Sequence, residues 1–335
     1  MRWLIPLAIL AIGCGDKPDD DTAPPEGDTD TDTDADTDAD TDADTDADTD
    51  TDVDLESVSI TATVEALSSR ETVTFGLLGV YNDGSEVDVT DVAGFASDDE
   101  SVLAFYQPYV GQPLNGGVVT VTGSYEGFED TVEITIELAL AAEGDLVINE
   151  LLSDATVDGD PNLDGSTDAV EDEFIEIANV SGVALDLEGV TIVENDWSTY
   201  LPRHTFAEGT MLPAGSVVVV FGGGDVSGMS ADNAQFFIAV NDDPGTLYGL
   251  SLLDLGETVR VMAADGKTSI DSVSYGTASF DGSVPAGQDE SITLSPDVEG
   301  TTWVAHTATG AAAAFSPGTF ADGGPFVGPG GVYAP

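Results

Sequence analysis

The twelve residues from Asp160 to Glu171, DPNLDGSTDAVE, carry oxygen-bearing side chains at their first, third, fifth, seventh, ninth and twelfth positions, with Gly165 sixth. The pattern D-x-[DN]-x-[DN]-G-x5-E is complete. As a calcium loop, Asp160, Asn162 and Asp164 would each donate a side-chain oxygen and Ser166 its backbone carbonyl. Asp168 would act directly or through water, and Glu171 would supply two oxygens, within the roughly six to eight that a hard cation takes. Gly165 permits the sharp turn that gathers them. Asp158, Asp172 and Glu173 flank the loop and would replace or extend the ligand set.

The competing reading is a solvated acidic patch. The 335-residue chain holds 65 Asp and Glu against 6 Lys and Arg, a formal net charge of −59. Two features favour the ion: Asn162 interrupts the acids where the motif accepts an amide, and the glycine sits where the turn demands one. VINE (147–150) before the loop and EFIEI (173–177) after it read as strands, so the flanking helices of an EF-hand are missing. The loop therefore resembles the calcium loops of dockerins and thrombospondin-type repeats, which implies a structural ion in preference to a signalling one.

Other chemistry is thinly represented. Glu150 and Glu173 would serve as an acid and base for hydrolysis only if one pKa were selectively raised. The expectation is that they flank the cation or face solvent. His204 and His306 are the only histidines, too few for zinc. His204 reads as a packing or hydrogen-bonding residue at a strand end. Gly222-Gly223-Gly224-Asp225 follows a strand with no helix after it, so it reads as a loop needing unusual backbone angles and not as a phosphate cradle. Trp197, Tyr200 and Trp303 are the obvious stacking aromatics for a glycan, with core or loop packing as the alternative. No G-x-S-x-G, Cys/His pair or H-E-x-x-H is present.

The charge balance argues against nucleic acid or an anionic membrane surface as a partner, since both need Lys and Arg for neutralisation. Hydrophobic residues still make up 41% of the chain, so the acidity is added to a globular composition. Abundant Gly, Val, Thr and Ile indicate strands and turns. The single cysteine, Cys14, closes LAIGC after a positive start and an apolar run too short to span a bilayer. LAIGC resembles the lipobox of bacterial lipoproteins, which implies cleavage before Cys14 and lipidation of its thiol. Gly15, where the inner-membrane retention signal has Asp, implies sorting to the outer membrane. From Asp28 to Asp54 every second residue is Asp. Carboxylates ~7 Å apart along one face leave nothing apolar to bury and repel one another, so this reads as a disordered tether reaching up to ~90 Å.

Two β-sandwiches follow. VYNDGSEVDVTDVAGFASDDESVLAF (80–105) and GGVVTVTGSYEGFEDTVEITI (116–136) resemble a group 2 bacterial Ig-like domain over 55–140, with Phe95 where that family usually has Trp. The resemblance implies a spacer or adhesive module. Farther on come VINE, DEFIEIAN, DLEGVTI, the LPAG turn before VVVVF, and a closing SPGT. In combination these resemble the lamin tail domain (LTD), an Ig-like sandwich, over 143–320. ENDWSTYLP (194–202) and 226–250 depart from its pattern and read as loops, and 321–335 reads as a flexible tail.

The expected organisation is a signal peptide (1–13), a lipidated Cys14 with its acidic tether (14–54), and two tandem all-β domains. The expected function is an envelope-anchored lipoprotein at the outer membrane or cell surface. It would present its modules for binding, adhesion or architecture, with calcium as a structural cofactor and a surface protein or glycan as partner. Two alternatives stand beside it: an extracellular hydrolase, or an accessory module of one, acting on nucleic acid or polysaccharide; and a carbohydrate-binding module.

Overall fold

Apolar residues at alternate positions dictate the first sandwich. In β3 (Val73–Tyr81, VTFGLLGVY) Val73, Phe75, Leu77 and Gly79 are buried, and the residues between them are more exposed. That period of two gives a strand with one face inward. β3 pairs with β1 (Leu55–Ala62), β4 (Glu86–Asp88) and β7 (Val110–Pro113), and β7 pairs with β6 (Leu103–Gln107). The facing sheet runs β2 (Ala66–Ser68), β9 (Phe128–Glu137), β8 (Gly117–Tyr125) and β5 (Gly94–Ser97). Phe95 fills its expected core position beside Phe75 and Phe105, with ring centroids 6.0 and 6.4 Å away.

The computed structural model describes residues 52–155, 159–196, 199–240, 249–279, 282–287, 289–329 and 331. The signal segment, Cys14 and nearly all of the acidic tether lie outside these residues, as do Asp158 and Trp197. Among the described residues no helix is long and apolar enough to cross a membrane.

The second sandwich opens with β10 (Ala139–Leu140), which pairs in parallel with β13 (Leu185–Asp186). One of its sheets includes β11 (Leu146–Leu152), β12 (Phe174–Asn179) and β17 (Val217–Phe221). β18 (Ala234–Ile238), β21 (Ile292–Ser295) and β22 (Thr302–Ala305) complete it, in the order β18-β17-β12-β11-β21-β22. Facing it are β15 (Thr199–Thr205), β14 (Thr191–Asp196), β19 (Thr258–Met262) and β20 (Ser269–Ser274), hydrogen-bonded in that order. β16 (Met211–Leu212) closes the side on β13. Strands β17 and β18 are parallel, and the connection Gly222–Asn233 is about the dozen residues that a parallel crossover needs.

Every residue of β12 and β17 is buried. Ile175, Ile177, Val218 and Val220 point into the inter-sheet core. Their neighbours Phe174, Ala178, Val217 and Phe221 point the other way, against Phe315, Phe320 and Phe326 of the C-terminal segment. This corrects the flexible tail expected from 321. Phe326 is 1% exposed, its carbonyl accepts the Asn233 side-chain amide at 2.7 Å, and Gly328 N–H donates to Gly215. Residues 194–196 and 199–202 of ENDWSTYLP likewise lie in paired strands, β14 and β15, and not in a loop.

The two sandwiches are clamped together. The buried Ser69 hydroxyl donates to the Ala184 carbonyl at 2.8 Å and accepts from Ala139 N–H at 3.0 Å. Arg70 meets Asp145 through two nitrogens and also reaches the Leu140 carbonyl at 3.2 Å.

Candidate metal centre and buried acidic cluster

The loop between β11 and β12 is wound by its own acids. Asp160 accepts N–H bonds from Asp164 (3.0 Å) and Gly165 (2.7 Å), and the Asn162 side-chain oxygen accepts a second bond from Asp164 N–H at 3.0 Å. Asp164 accepts from Ser166 N–H at 2.8 Å. Gly165 adopts φ +93°, the left-handed conformation for which the motif reserves a glycine. Asp168 caps the next turn by accepting from Val170 and Glu171, which holds its carboxyl below the usual value.

A second loop forms the opposite wall. Gly222 N–H donates to the Glu173 carbonyl at 2.8 Å and Gly223 N–H to that of Glu171 at 2.9 Å. The Asn162 amide reaches back to the Gly223 carbonyl at 3.4 Å. A side chain at Gly222 would overlap the Val170 carbonyl. One at Gly224 would overlap the Asn162 amide and stand 2.7 Å from Asp164 Oδ2. Only Gly224 of the three has a left-handed backbone, φ +78°. Close approach of the two loops is therefore the main reason for the glycine run, and unusual backbone angles are a lesser one.

The structure thus brings Asp160, Asn162 and Asp164 together, while Asp164, Ser166, Asp168 and Glu171 are all exposed. The inward acid is Asp172, 1% exposed. Its Oδ2 accepts from Asp168 N–H at 2.8 Å, the Asn162 N–H also favours its charged form, and its Oδ1 has no donor within ordinary hydrogen-bond distance. Burial pushes its pKa up to about 6, and the charges of Asp160 and Asp164 add to that rise. Glu173 turns elsewhere. It accepts from Leu252 N–H at 3.1 Å, burial pushes it up to about 9, and it lines a cavity of about 440 Å³ with Asp154 and Asp254. Among the described residues no group of three or more His, Cys, Asp and Glu side chains is placed so that it could hold a metal ion.

The pair Glu150 and Glu173 is not assembled. Glu150 neither flanks the loop nor meets solvent: it is fully buried and accepts from Ser316 N–H (2.9 Å), Ser316 Oγ (2.7 Å) and Ser291 Oγ (2.5 Å). Beside it His306 Nε2 lies 2.9 Å from Ser316 Oγ. Serine, histidine and glutamate thus meet as in a hydrolytic triad, but Glu150 binds the serine and does not orient the imidazole, whose Nδ1 faces the Ala313 carbonyl at 2.9 Å. With His306 and Glu150 both at 0% exposure, the cluster is enclosed and fastens the C-terminal segment. The sequence offered one signal for it, the polar residues interrupting the apolar strands VINE and FIEI. His204 is a packing residue as expected. Its Nδ1 accepts from Val240 N–H at 3.2 Å, its ring stands edge-on to Phe206 at 4.5 Å, and burial lowers its pKa to about 4. Trp303 packs partly buried against the core.

Residues 139–277 match the family model of the Lamin Tail Domain. The match stops before β21 and β22, which belong to the same sheet through the pairing of β21 with β11. No curated protein matches the chain. Among solved structures, domains 5–6 of the S-layer protein SbsC are similar at 14% identity and a TM-score of 0.22, covering 66% of this chain and 96% of that one. A DUF4876 family protein from Bacteroides thetaiotaomicron VPI-5482 is similar at 10% identity and a TM-score of 0.32, covering 69% and 76%. Superpositions this loose do not bear on function.

Proposed function

We propose that this chain is a bacterial envelope lipoprotein that displays a lamin-tail-type sandwich at the cell surface. In this reading it is anchored by lipid at Cys14 and lifted by the acidic segment 14–54. The group 2 Ig-like domain serves as the spacer, and the terminal sandwich binds a surface protein or glycan. The observation that carries the reading is the clamp of Ser69 and Arg70 onto Ala184, Leu140 and Asp145. A hinged pair of catalytic domains has no need of such a joint, whereas a spacer that must hold a module in a fixed attitude does. The proposal includes no catalytic role.

Its test is expression of the full chain beside a Cys14→Ser variant in a Gram-negative host. The native chain is expected in the outer-membrane fraction and sensitive to external protease, and the variant in a soluble fraction. Recovery of both in the same soluble fraction, or turnover of DNA, glycans or phosphoesters by the purified chain, would overturn the reading.

A further inference from the structure

A cavity of about 620 Å³ opens where three turns of the second sandwich meet: the β21–β22 connection, 309–312 and 320–322. Its size falls within the roughly 300–1,000 Å³ of small-molecule sites. Part of its lining is apolar, with Phe320 beside Leu294, Ala312 and Ala321. The rest is polar: Asp297, Glu299 and Asp322 bring carboxylates, and Ser295 and Thr309 bring hydroxyls. Among the described residues no Lys, Arg or His side chain lines it. The polar part is fixed from behind. Asp297 accepts from the Thr293 hydroxyl at 3.2 Å, the Asn149 amide at 3.4 Å and Ala321 N–H at 3.3 Å. Asn149 in turn donates to buried Glu176 at 2.9 Å and accepts from Val298 N–H at 2.6 Å. Val298 is a β-branched residue in the left-handed region, φ +62°, a conformation that persists only where the surroundings impose it. Its side chain is buried with Ala178, Val217 and Phe326, while its neighbours Asp297 and Glu299 both line the cavity.

This lining restricts the ligand. Phosphate, sulfate or uronate groups would find no basic side chain to neutralise them. A bare cation is poorly served too. Asp297 already takes three donors, Asp322 Oδ1 takes Gly324 N–H at 2.8 Å, and among the described residues no group of acids is placed to hold a metal. A neutral sugar suits both parts of the lining: its hydroxyls donate to carboxylate oxygens that still have lone pairs free, and its C–H face lies against an aromatic ring. Resting on the reading of the terminal sandwich as a module that binds a surface protein or glycan, we propose that this cavity is its saccharide subsite and takes a neutral sugar unit of a surface glycan. Phe320 is the platform for the ring, and Asp297, Glu299 and Asp322 accept from its hydroxyls. The tie from Asp297 through Asn149 to Glu176 keeps the acceptor in place before the sugar arrives, so little ordering is left to oppose binding.

The test is saturation-transfer NMR on the purified full chain with cellobiose, maltose, gentiobiose and N,N′-diacetylchitobiose, beside a uronate-containing disaccharide and cadaverine. At least one neutral disaccharide should bind at a single saturable site, and the uronate should not. Ala312 is exposed and lines the cavity, so Ala312→Trp fills it and should weaken sugar binding about tenfold or more with Tm unchanged. Ala308 is exposed on the neighbouring turn and outside the lining, and Ala308→Trp should change binding no more than about twofold. Asp322→Ala, also at an exposed position, removes an acceptor and should weaken binding about tenfold. Sugar binding undiminished in both Ala312→Trp and Asp322→Ala would remove the cavity from the site and leave glycan binding by the chain standing. No binding of any neutral disaccharide would overturn the subsite, while surface display, read by fractionation, would be untouched. Binding of cadaverine in place of sugar, lost in Ala312→Trp, would overturn it in favour of a cationic ligand.

Discussion

Glu150 and Glu176 stand directly opposite one another on β11 and β12, both without solvent exposure. Directly opposed residues share a sheet face, so two carboxylates lie side by side beneath the C-terminal segment. Glu176 accepts from the Asn149 amide at 2.9 Å and Gly318 N–H at 2.7 Å, which pins that segment from a second point. Burial pushes both pKa values up, and the Glu150 charge raises Glu176 further.

This arrangement sets a pH dependence. A carboxyl whose folded pKa lies above its ordinary 4.5 binds its proton more tightly in the folded chain. Stability from this source is present below that value and is lost as pH rises toward the folded pKa, at up to about 1.4 kcal/mol per pH unit for each group. Glu150→Gln removes the titration and keeps its contacts: its oxygen still accepts from Ser291 and Ser316 N–H, and its amide donates to Ser316 Oγ. Scanning calorimetry should find the variant level with the native chain near pH 4.5 and higher in Tm at pH 8. A deficit that grows toward pH 8 would show the opposite sign.

The joint between the sandwiches gives a second expectation. Ser69→Ala leaves the Ala184 carbonyl and Ala139 N–H without their shared partner in a buried position, a loss of about 1–3 kcal/mol. The Arg70 side chain is 39% exposed, so Arg70→Ala should cost only about 0.5 kcal/mol. Their larger combined effect is on geometry. With spin labels on exposed Val87 and Leu255 in a Cys14→Ser background, the native joint should give a narrow distance distribution and the double variant a broad one. Equal widths would mean that the linker residues alone set the attitude.

How far the sequence disclosed this molecule varied with the range of the forces involved. Strand β3 is legible because its alternation is local, and the loop from Asp160 because its spacing is local. ENDWSTYLP reads as a loop because it departs from the lamin tail pattern, and Pro202 gives β15 no strand signal of its own. The structure accommodates it because β15 lies at a sheet edge, where its register with β14 shifts beside Ile192. Glu150 is expected from the sequence to flank the cation or face solvent, and Glu176 carries no reading of its own. They are buried because a segment more than a hundred residues later covers them. The choice between Glu171 and Asp172 as the inward acid depends on where β12 begins, which Phe174 fixes through its pairing with Phe221. No twelve-residue pattern contains that information.

Phe326 tests the packed C-terminus. Its ring is 1% exposed and meets Phe320 at 4.5 Å over the outer face of β12 and β17. Phe326→Ala should cost about 3 kcal/mol and lower Tm by several degrees, as deletion of a buried aromatic does. Phe326→Leu should recover more than half of that loss. A Tm unchanged in Phe326→Ala would return this stretch to the status of a loose tail.

Two glycines in the same crossover, Gly222 and Gly228, separate close approach from backbone freedom. At Gly222 a methyl group would overlap the Val170 carbonyl, and backbone lies on the far side, so neither loop has a flexible group to yield. Gly222→Ala should therefore destabilise the fold by roughly 2–4 kcal/mol. At Gly228, in the 3-10 turn Val226–Gly228, an added Cβ meets nothing within 4 Å and no left-handed backbone angle is required. Gly228→Ala should gain a few tenths to about 1 kcal/mol by restricting the unfolded chain. Thermal melts measure both effects. Equal stability of Gly222→Ala and the native chain would mean that the two loops part without cost.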